Sequence, residues 1–506
     1  MKKVKESSKQ LIKGAIIVII GLFFGKLISY GYTIIIARIG SEVFGLYNLG
    51  ISIISFLIIF SLFGLNSGIV RYISYYRTKK DESRIKGIIK SSLKISIPLS
   101  IFFSLILFIF SSTISKNIFH NPNLILVLRI LAFAIPIIVI TEIFLNIFTA
   151  FKRIEYKIFI IEVLEKLVRI IIAFVLIYLG FTLKAAIFSY IISIIISFLL
   201  SIYFSEKVFF FFKSKIKAIE MKKELIIYSF PLLFSGVLIS IVKWIDTIMI
   251  GFLKNASDVG VYNVALSTSY LMVIIPTAVM SLFLPIITEK YSKNNYKEIK
   301  NISKNVIRWI FILNISLFTI ILTFSKEILK LMFGQEYILG NNSLIILLIG
   351  YLIFSFAHVH SNYLVMIKKT RLILFINVFM ALLNILLNLL LIPKYGIIGG
   401  AIATSSSLFL SYVLSFYYSY KFSRINPYDI KLIKPLLASL IALFIIFLIK
   451  DLFSITVITI IILSILFIGI YIFILFTTKS INKEDKEIIN LILNKIKNLK
   501  NKKQTL

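Results

Sequence analysis

Long apolar runs alternate with short charged segments along almost the whole chain. Runs of about eighteen or more apolar residues recur between Leu11 and Phe476, and each is long enough to cross a hydrocarbon layer of roughly 30 Å as a helix. Stretches such as IIVIIGLFF and IISFLIIF are continuous, whereas the strands of an outer-membrane barrel would alternate between apolar and polar residues. The pattern therefore predicts an all-α polytopic membrane protein.

Charged gaps and gaps containing glycine or proline divide the chain into about fourteen predicted transmembrane helices. They run approximately over residues 11–37, 43–70, 90–115, 124–150, 158–180, 184–205, 225–253, 258–288, 306–325, 341–367, 372–392, 397–420, 435–450 and 454–477. The first run is far longer than a signal-peptide core, and no A-x-A-like site follows it, so we expect this helix to be retained.

Basic residues are concentrated on one side of this topology. With the amino terminus inside, about 43 of the 56 lysines and arginines fall in the inner segments. We therefore expect a multi-pass protein of the plasma membrane with both termini in the cytoplasm. The net charge of +34 then reflects topology and not a nucleic-acid partner, and anionic membrane lipids are the partners that it indicates.

Two inner segments mix lysines with apolar residues at helical spacing, namely residues 207–223 and 483–503. This spacing is typical of helices that lie in the membrane interface. A solvated segment is the alternative for the tail.

Short motifs recur in order at an offset of 215 or 216 residues. FGLYNLGI (44–51) returns as VGVYNVAL (259–266), and YLGFTLKAAI (178–187) returns as KYGIIGGAIA (394–403). The basic pair at 152–153 returns at 368–369. Three matches in order predict two six-helix bundles, and because six is even, the repeats are parallel and related by an axis along the membrane normal.

The repeat sets the expected domain organisation. It predicts an N-terminal six-helix lobe (1–205), a cytoplasmic linker (206–224), a C-terminal six-helix lobe (225–420), two accessory helices, the thirteenth and fourteenth (421–478), and a basic cytoplasmic tail (479–506).

The stretches WIDTIMIGFLKNASDVGVYNVALSTSYLMVIIP and NILLNLLLIPKYGIIGGAIATSSS resemble the multidrug/oligosaccharidyl-lipid/polysaccharide exporter superfamily. Within it, SEVFGLYNLGISIISFLIIFSLFGLNSGIVRYISYYRTKKD (41–81) is most similar to the polysaccharide-biosynthesis flippases. The resemblance implies two lobes around a central cavity and alternating access. It also implies transport of an oligosaccharide linked to an undecaprenyl or dolichyl diphosphate from the inner to the outer leaflet.

Charged residues inside the predicted helices are candidates for the transport site, because a charge at bilayer depth costs at least about 2.5–3.5 kcal/mol unless it faces water or a partner. The cations that we assign to substrate binding are Lys26, Arg71, Arg129, Arg169 and Lys243. The acids that we assign to orienting or coupling roles are Glu142, Glu165 and Asp246.

Spacing suggests which of these charges neutralise one another. Glu162 with Lys166, and Glu165 with Arg169, have the favourable i to i+4 order. Lys243 and Asp246 share a helical face, so we expect the aspartate either to hold and orient the lysine or only to pin helix packing.

Lys26 has no acid within its own predicted helix, and Arg71 has none before Asp81. Lys26 and Lys243 occupy nearly equivalent depths in the two repeats. Cations from both lobes suit a diphosphate, and Arg71 is placed at the cytoplasmic entrance.

Other functions remain as alternatives. A drug or cation antiporter would need unpaired carboxylates, for which Glu142 and Asp246 are the candidates, and a lipid II-type flippase is a further one. A membrane enzyme is disfavoured, because the longest outer connection (326–342) contains no His, Asp or Cys and the chain has no Walker A motif. We therefore expect no catalytic residue, metal site or cofactor, and a monomer that works with a glycan polymerase or transferase.

Four further polar residues lie inside predicted helices. His358 and His360 are i and i+2 and point to different faces, so packing or a single cavity-lining group is favoured over a metal pair. Asn384 and Asn388 share a face, which predicts hydrogen bonds between helices.

Overall fold

The computed structural model describes residues 2–212, 215–478 and 480, and this part of the chain is helical without a β-strand. Up to residue 208 the α-helices are α1 (Lys2–Ala37), α2 (Ser41–Leu62), α3 (Leu65–Thr78), α4 (Glu82–Thr113), α5 (Leu124–Ala132), α6 (Ala134–Ala150), α7 (Ile154–Ile158), α8 (Glu165–Tyr178) and α9 (Leu183–Val208). From residue 222 they are α10 (Lys222–Leu253), α11 (Ala256–Ser269), α12 (Ile274–Ser292), α13 (Tyr296–Thr323), α14 (Ser325–Ile328), α15 (Asn341–Met366), α16 (Thr370–Tyr395), α17 (Ile397–Ser423), α18 (Ile433–Lys450) and α19 (Val457–Thr477). Tighter or wider helical turns occur at Ile114–Ile118, Phe159–Leu164, Tyr270–Val273, Leu329–Phe333, Gln335–Gly340 and Ile430–Leu432.

Within these described ranges, twelve helices are long and apolar enough to cross a membrane, and the pair α5 and α6, bent by 41°, makes a thirteenth if it counts as one span. The remaining predicted span, 158–180, is helical up to Tyr178 but is rich in charge, with Glu162, Glu165, Lys166 and Arg169. The polytopic helical fold is confirmed, and a count of fourteen stays a prediction.

The second predicted span is shorter than the sequence indicated. The helix α2 stops at Leu62, where Phe63 (φ 50°) and Gly64 (φ 71°) adopt the left-handed conformation, and α3 then continues to Thr78. A Cβ atom at Gly64 would lie 2.4 Å from the carbonyl oxygen of Ser229 in α10. The span predicted over 43–70 is therefore interrupted by a helix break at Phe63 and Gly64, a conformation that glycine adopts without strain. Arg71 consequently lies in the next helix, α3.

The internal repeat extends to the backbone. Lys152 and Lys368 both have φ 60°, an uncommon value for a residue with a side chain. The hydrogen bonds around them also match at an offset of 216, because Arg153 N donates to Phe148 O and Lys369 N donates to Leu364 O, each over 2.8 Å. Two segments of different sequence thus adopt the same turn conformation.

Two further backbone features repeat. The helix after each short connection is capped by a side chain, with Asp81 accepting from Arg84 N and Asn295 accepting from Glu298 N, at an offset of 214. The π-helical turn at Ile114–Ile118 also returns at Leu329–Phe333. These features support two copies of one helical unit, while the lobe boundaries stay predictions.

The helices α2 and α11 contact each other through their first turns. A Cβ atom at Gly45 would lie 1.7 Å from the carbonyl oxygen of Ala256, and one at Gly260 would lie 2.0 Å from that of Ser41. The hydroxyls of Ser41 and Ser257 are 2.6 Å apart. Glycine is required at both positions because the two backbones touch.

The predicted interfacial helix over 207–223 is wrong for the residues that the structure describes there, because α9 ends at Val208 and α10 begins at Lys222. The segment instead runs along α4. Ile219 N donates to Ser83 O over 3.0 Å, and a Cβ atom at Gly87 would meet Ile219 O at 1.7 Å. The segment is thus held by one backbone hydrogen bond and close packing to α4, and not by the hydrogen bonds of a helix.

Glu220 fixes the end of this segment. Its carboxylate lies 3.3 Å from Lys90 Nζ and 3.6 Å from Lys222 Nζ, and it also bonds to Lys94. Hydrogen bonding from Lys94, with further help from Lys90, lowers the pKa of Glu220 to about 2. The linker is therefore attached to the first half of the chain.

The last two helices pack against the second half. The helix α18 contacts α13 and α19, and the hydroxyl of Tyr471 in α19 donates to Ile312 O in α13 over 3.1 Å. Most of the predicted basic tail, residues 481–506, lies outside the described residues.

Candidate functional site

Three lysines from three different helices lie in one region of the molecule. Lys26 in α1, Lys166 in α8 and Lys243 in α10 are close enough to repel one another electrostatically. The ammonium group of Lys26 lies 5.2 Å from the ring centre of Tyr270, which follows α11. Lys243 lies 4.6 Å from the ring of its neighbour Trp244. The side chains of Lys26 and Lys243 are exposed, so both can reach a ligand.

Glu162 is the acid that accompanies this group. It forms an ion pair with Lys166, as the i to i+4 spacing predicted. A Cβ atom at Gly25 would lie 2.4 Å from Glu162 Oε2, so the carboxylate packs directly against α1. Glu162 lies in the π-helical turn Phe159–Leu164, a backbone feature that is frequent at functional sites.

Cations outnumber acids in this group, which we call the lysine cluster (Lys26, Lys166, Lys243, with Glu162). Three ammonium groups and one carboxylate leave a net positive charge. Such an arrangement is costly inside a protein unless water or an anion compensates it. The cluster can therefore bind an anionic group.

The expected pairing of Lys243 with Asp246 is wrong. Asp246 is only 4% exposed, and its donors come from three other helices. Tyr262 OH donates over 2.7 Å and Asn388 Nδ2 over 2.6 Å, and Thr404 also donates to it. A buried carboxylate requires such donors, and these satisfy it without Lys243.

Two asparagines complete this group, which we call the aspartate cluster (Asp246, Tyr262, Asn384, Asn388, Thr404). Asn384 Nδ2 lies 3.2 Å from Asp246 Oδ1 and 3.1 Å from Thr404 Oγ1. Asn388 Nδ2 also lies 3.2 Å from Asn384 Oδ1. The prediction that these asparagines bond between helices is confirmed.

The aspartate cluster has a buried carboxylate that accepts from two hydroxyl groups and two amide nitrogens. Asn388 Oδ1 is buried without a hydrogen-bond partner among the described residues. Carboxylate and amide oxygens are ligands that a hard cation prefers, and the carboxylate can also take a proton. In the part of the chain that the structure describes, no group of three or more His, Cys, Asp or Glu could hold a metal ion.

Arg169 occupies a corresponding polar core in the first half. It forms an ion pair with Glu165, as predicted, and its Nε donates to Ser193 Oγ over 3.2 Å. Its guanidinium lies 4.5 Å from the ring centre of Tyr190 and 5.6 Å from that of Tyr32. Arg169 is thus fully engaged within its own half.

The remaining candidates are placed apart from one another. Arg129 in α5 donates to Ser111 Oγ over 3.1 Å and lies against α4. Glu142 in α6 has Lys157 Nζ at 3.9 Å. Neither contact joins the lysine cluster.

Arg71 lies between the two halves of the chain. Its guanidinium stacks 4.3 Å from the ring centre of Tyr228 in α10, and the ring of Tyr72 packs 5.7 Å from the same tyrosine. The side chain of Arg71 is exposed. It is thus accessible at a seam between α3 and α10.

The two histidines point to different faces of α15, as their i and i+2 spacing predicted. His360 is buried, with Nδ1 2.9 Å from Ser419 Oγ and Nε2 2.8 Å from Tyr428 OH, so packing is confirmed for this residue. His358 instead lines a cavity of about 190 Å³ between α15, α16 and α17.

Sequence reasoning missed Lys166 as a cluster member, because its i to i+4 acid made it look neutralised. It also missed Tyr262 and Thr404 as partners of Asp246. Tyr262 lies in a repeated motif, which was a usable signal, but nothing local connects Thr404 to an aspartate 158 residues earlier.

Comparison with known proteins agrees with this architecture. The model of the family described as polysaccharide biosynthesis protein matches residues 11–291, more than half of the chain, and the MatE model matches 231–390. The probable low-salt glycan biosynthesis flippase Agl15 of Haloferax volcanii is 31% identical over 184 residues, which are 36% of this chain and 39% of that protein. The putative O-antigen transporter of Shigella flexneri is 24% identical over 80% of this chain and 96% of its own.

Solved structures show the same fold. The lipid II flippase MurJ in an inward closed conformation has a TM-score of 0.75 and 19% identity, covering 92% of this chain and 99% of its own. An inward-facing multidrug resistance MATE family transporter of the MOP superfamily has a TM-score of 0.69 and 15% identity, covering 79% and 94%. The resemblance stated from the sequence is confirmed, and the chain belongs to the polysaccharide biosynthesis protein family.

Proposed function

We propose that this protein is a flippase of the plasma membrane that moves a lipid-diphosphate-linked oligosaccharide from the cytoplasmic to the outer leaflet. The carrier is of the undecaprenyl or dolichyl type, and the product serves the assembly of a surface polysaccharide or glycan. Family membership and flippase relatives support this assignment. Both termini face the cytoplasm, and the protein acts as a monomer that passes its substrate to a polymerase or transferase.

The lysine cluster is the observation that carries the proposal. A diphosphate is a compact polyanion, and ammonium groups from α1, α8 and α10 lie near enough to influence one another electrostatically, as point charges suited to it. Glu162 pairs with Lys166 and also attracts Lys26, but one carboxylate cannot neutralise three ammonium groups. The sugar and lipid are then positioned by their covalent link to the bound diphosphate.

Arg71 lies at the entrance through which the substrate reaches the lysine cluster. Its guanidinium can form forked contacts with phosphate oxygens, and its stacking on Tyr228 places it where α3 meets α10. A substrate that enters between these helices would meet Arg71 before the lysine cluster. Binding there would replace the stacking contact that joins the two halves.

The aspartate cluster couples transport to a cation, either a proton or Na⁺. Four donors from α11, α16 and α17 converge on Asp246 of α10, so occupancy of this carboxylate changes the packing between α10 and its neighbours. The membrane potential adds to the driving force, because outward movement of an anion gains about 2.3 kcal/mol per charge per 100 mV.

A drug antiporter fits these residues less well. Such a protein needs an acid that a bulky cation can reach, whereas Asp246 is buried and Glu142 faces Lys157. The relatives are transporters and flippases and not catalysts, in agreement with the prediction that the chain is not an enzyme.

Reconstitution tests the proposal. Purified protein in vesicles should translocate a fluorescent undecaprenyl-diphosphate-linked sugar, measured as loss of protection from a membrane-impermeant quencher. Lys26→Gln and Lys243→Gln should each lower the rate by about tenfold or more, since each removes a charged contact of roughly 1.5–3 kcal/mol. The matched control is Lys184→Gln, an exposed lysine at the start of α9. Equal rates for the control and both cluster variants would refute the assignment.

A further inference from the structure

A cavity with basic side chains in its lining lies far along the chain from the lysine cluster. It has a volume of about 300 Å³ between the amino-terminal part of α13 and the segment that precedes α18. It is lined by Asn301, Lys304, Asn305, Arg308, Pro427, Asp429, Lys431 and Leu432. We call it the α13 pocket.

One face of α13 supplies half of this lining. Asn301, Lys304, Asn305 and Arg308 follow the spacing i, i+3, i+4 and i+7, which places them on one side of a helix. Arg308 is only 8% exposed, so its guanidinium lies at depth, while Lys304 is about one-third exposed. The amide groups add donors between the two charges.

The opposite wall is held by its own contacts. Asp429 Oδ1 accepts from Lys431 N over 3.1 Å, and Asp429 Oδ2 lies 3.2 Å from Lys304 Nζ. Ile425 is buried against apolar residues of α13, and Tyr428 OH lies 2.8 Å from His360 Nε2. The pocket is therefore built into the fold and does not depend on a mobile side chain.

Basic side chains outnumber acidic ones in the lining of the α13 pocket. Lys304, Arg308 and Lys431 are basic and Asp429 is acidic, with Lys304 paired to Asp429. A phosphate group fits this lining, because arginine and lysine are its preferred partners and the amide of Asn301 can donate as well.

The pocket also lies where a membrane surface is expected. The helix α13 changes from KEIKNISKNVIR to the apolar run that starts at Trp309, and tryptophan is typical of the membrane–water boundary. The helix α18 is a candidate span and begins directly after the pocket. A basic pocket between transmembrane helices at the cytoplasmic boundary is suited to an anionic lipid headgroup.

We propose that the α13 pocket binds the phosphate headgroup of an anionic membrane phospholipid, separately from the transported substrate. The acyl chains would lie along α13 and α18. Because α18 and α19 pack on α13, the bound lipid joins the accessory helices to the second half of the chain. Lipid binding at the α13 pocket is independent of the lysine cluster.

Direct binding tests the site. Fluorescent phosphatidylglycerol is titrated into the detergent-purified full chain, with phosphatidylcholine as the neutral comparison. Lys304→Gln with Lys431→Gln should weaken phosphatidylglycerol binding by about tenfold, because each of the two partly exposed lysines contributes about threefold. The single variant Lys431→Gln, at an exposed side chain, should reduce it about threefold and guards against misfolding of the double variant.

The matched control is Lys215→Gln with Lys217→Gln, which removes two exposed charges from the linker and should leave the affinity within about twofold. Equal weakening in the control would show nonspecific attraction and overturn the site. Competition by inorganic phosphate at the same affinity as the lipid would overturn the lipid assignment in favour of a soluble phosphate. Deletion of residues 481–506 that raises the affinity tenfold would mean that the acidic residues of the tail occupy the pocket instead.

Discussion

Gly45 in α2 and Gly260 in α11 touch across the contact between the two halves, since a Cβ atom on Gly45 would lie 3.0 Å from Gly260 N. The contact is reciprocal at the repeat offset of 215, because Gly45 meets Ala256, Gly260 meets Ser41, and 41 and 256 are themselves equivalent. A reciprocal contact of this kind is what a two-fold axis between equivalent elements produces.

Alanine at either glycine should separate α2 from α11. The added methyl group would overlap a backbone carbonyl that cannot rotate away, so Gly45→Ala and Gly260→Ala should each lower the free energy of unfolding by about 2 kcal/mol or more. Thermal unfolding of the purified protein measures this.

Gly469→Ala in α19 provides the control for that change. A Cβ atom there meets nothing within 4 Å, and alanine favours a helix by about 1 kcal/mol relative to glycine. Unchanged or raised stability is expected. Stability losses of the same size at all three glycines would point to a general intolerance of alanine in the membrane and not to a close contact.

Cysteine labelling should reveal the orientation. The chain contains no cysteine, and both Ser454, between α18 and α19, and Ser292, at the end of α12, are exposed. In intact cells an impermeant thiol reagent should modify Ser454→Cys and spare Ser292→Cys until the membrane is permeabilised. Labelling of Ser292→Cys but not Ser454→Cys in intact cells would show that the orientation is the reverse of the predicted one.

Lys243→Gln and Asp246→Asn should act independently. Because other residues satisfy Asp246, Asp246→Asn should lower the free energy of unfolding by about 1–3 kcal/mol through mismatched buried donors. Lys243→Gln, at an exposed side chain, should lower it by less than about 0.5 kcal/mol. A double-mutant cycle of unfolding free energies should give a coupling below about 0.5 kcal/mol. A larger coupling energy would show that Lys243 and Asp246 do form an ion pair.

Asp246→Asn should also separate binding from coupling. The lysine cluster remains intact, so the substrate should still bind, while stimulation of translocation by a proton or Na⁺ gradient should disappear. Vesicle assays with and without an imposed gradient provide the measurement. Undiminished stimulation would remove Asp246 from the coupling role.

Glu220→Gln should release the linker from α4. The variant loses the charge that Lys90, Lys94 and Lys222 share, so trypsin should cleave after Lys215 or Lys217 several-fold faster. Because the pKa of Glu220 is lowered to about 2, the wild-type contact should persist above pH 4.5 and weaken only as the pH falls towards 2.

Glu289→Gln is the control for the linker, since Glu289 in α12 forms an exposed ion pair with Lys293, the residue that follows this helix. It should leave the cleavage rate unchanged. Equal acceleration in both variants would show that charge loss in general exposes the linker.

Local sequence patterns predicted most of the helices and two of the ion pairs. Apolar runs define spans because the bilayer imposes their length, and the pairs Glu162–Lys166 and Glu165–Arg169 follow from one helical turn. The break at Phe63 and Gly64 was not predicted, because it depends on a close approach by Ser229 that is 165 residues away.

The partners of Asp246 could not be predicted for the same reason. They come from helices that follow it by 16 to 158 residues, and spacing within one helix indicated the nearby Lys243 instead. A single sequence shows that a mid-membrane carboxylate needs a partner, but tertiary packing decides which one.

The two equivalent tyrosines, Tyr47 and Tyr262, show what the duplication has become. Tyr47 packs in a core with Tyr32 and Tyr190 beside Arg169, whereas Tyr262 donates to the carboxylate of Asp246. In the first copy, Glu165 balances the charge of Arg169. In the second copy, Asp246 is an acid without a basic partner among the described residues. The equivalent cores of the two copies therefore differ in charge, because the arginine of the first is paired with an acid, whereas the carboxylate of the second is held by neutral donors.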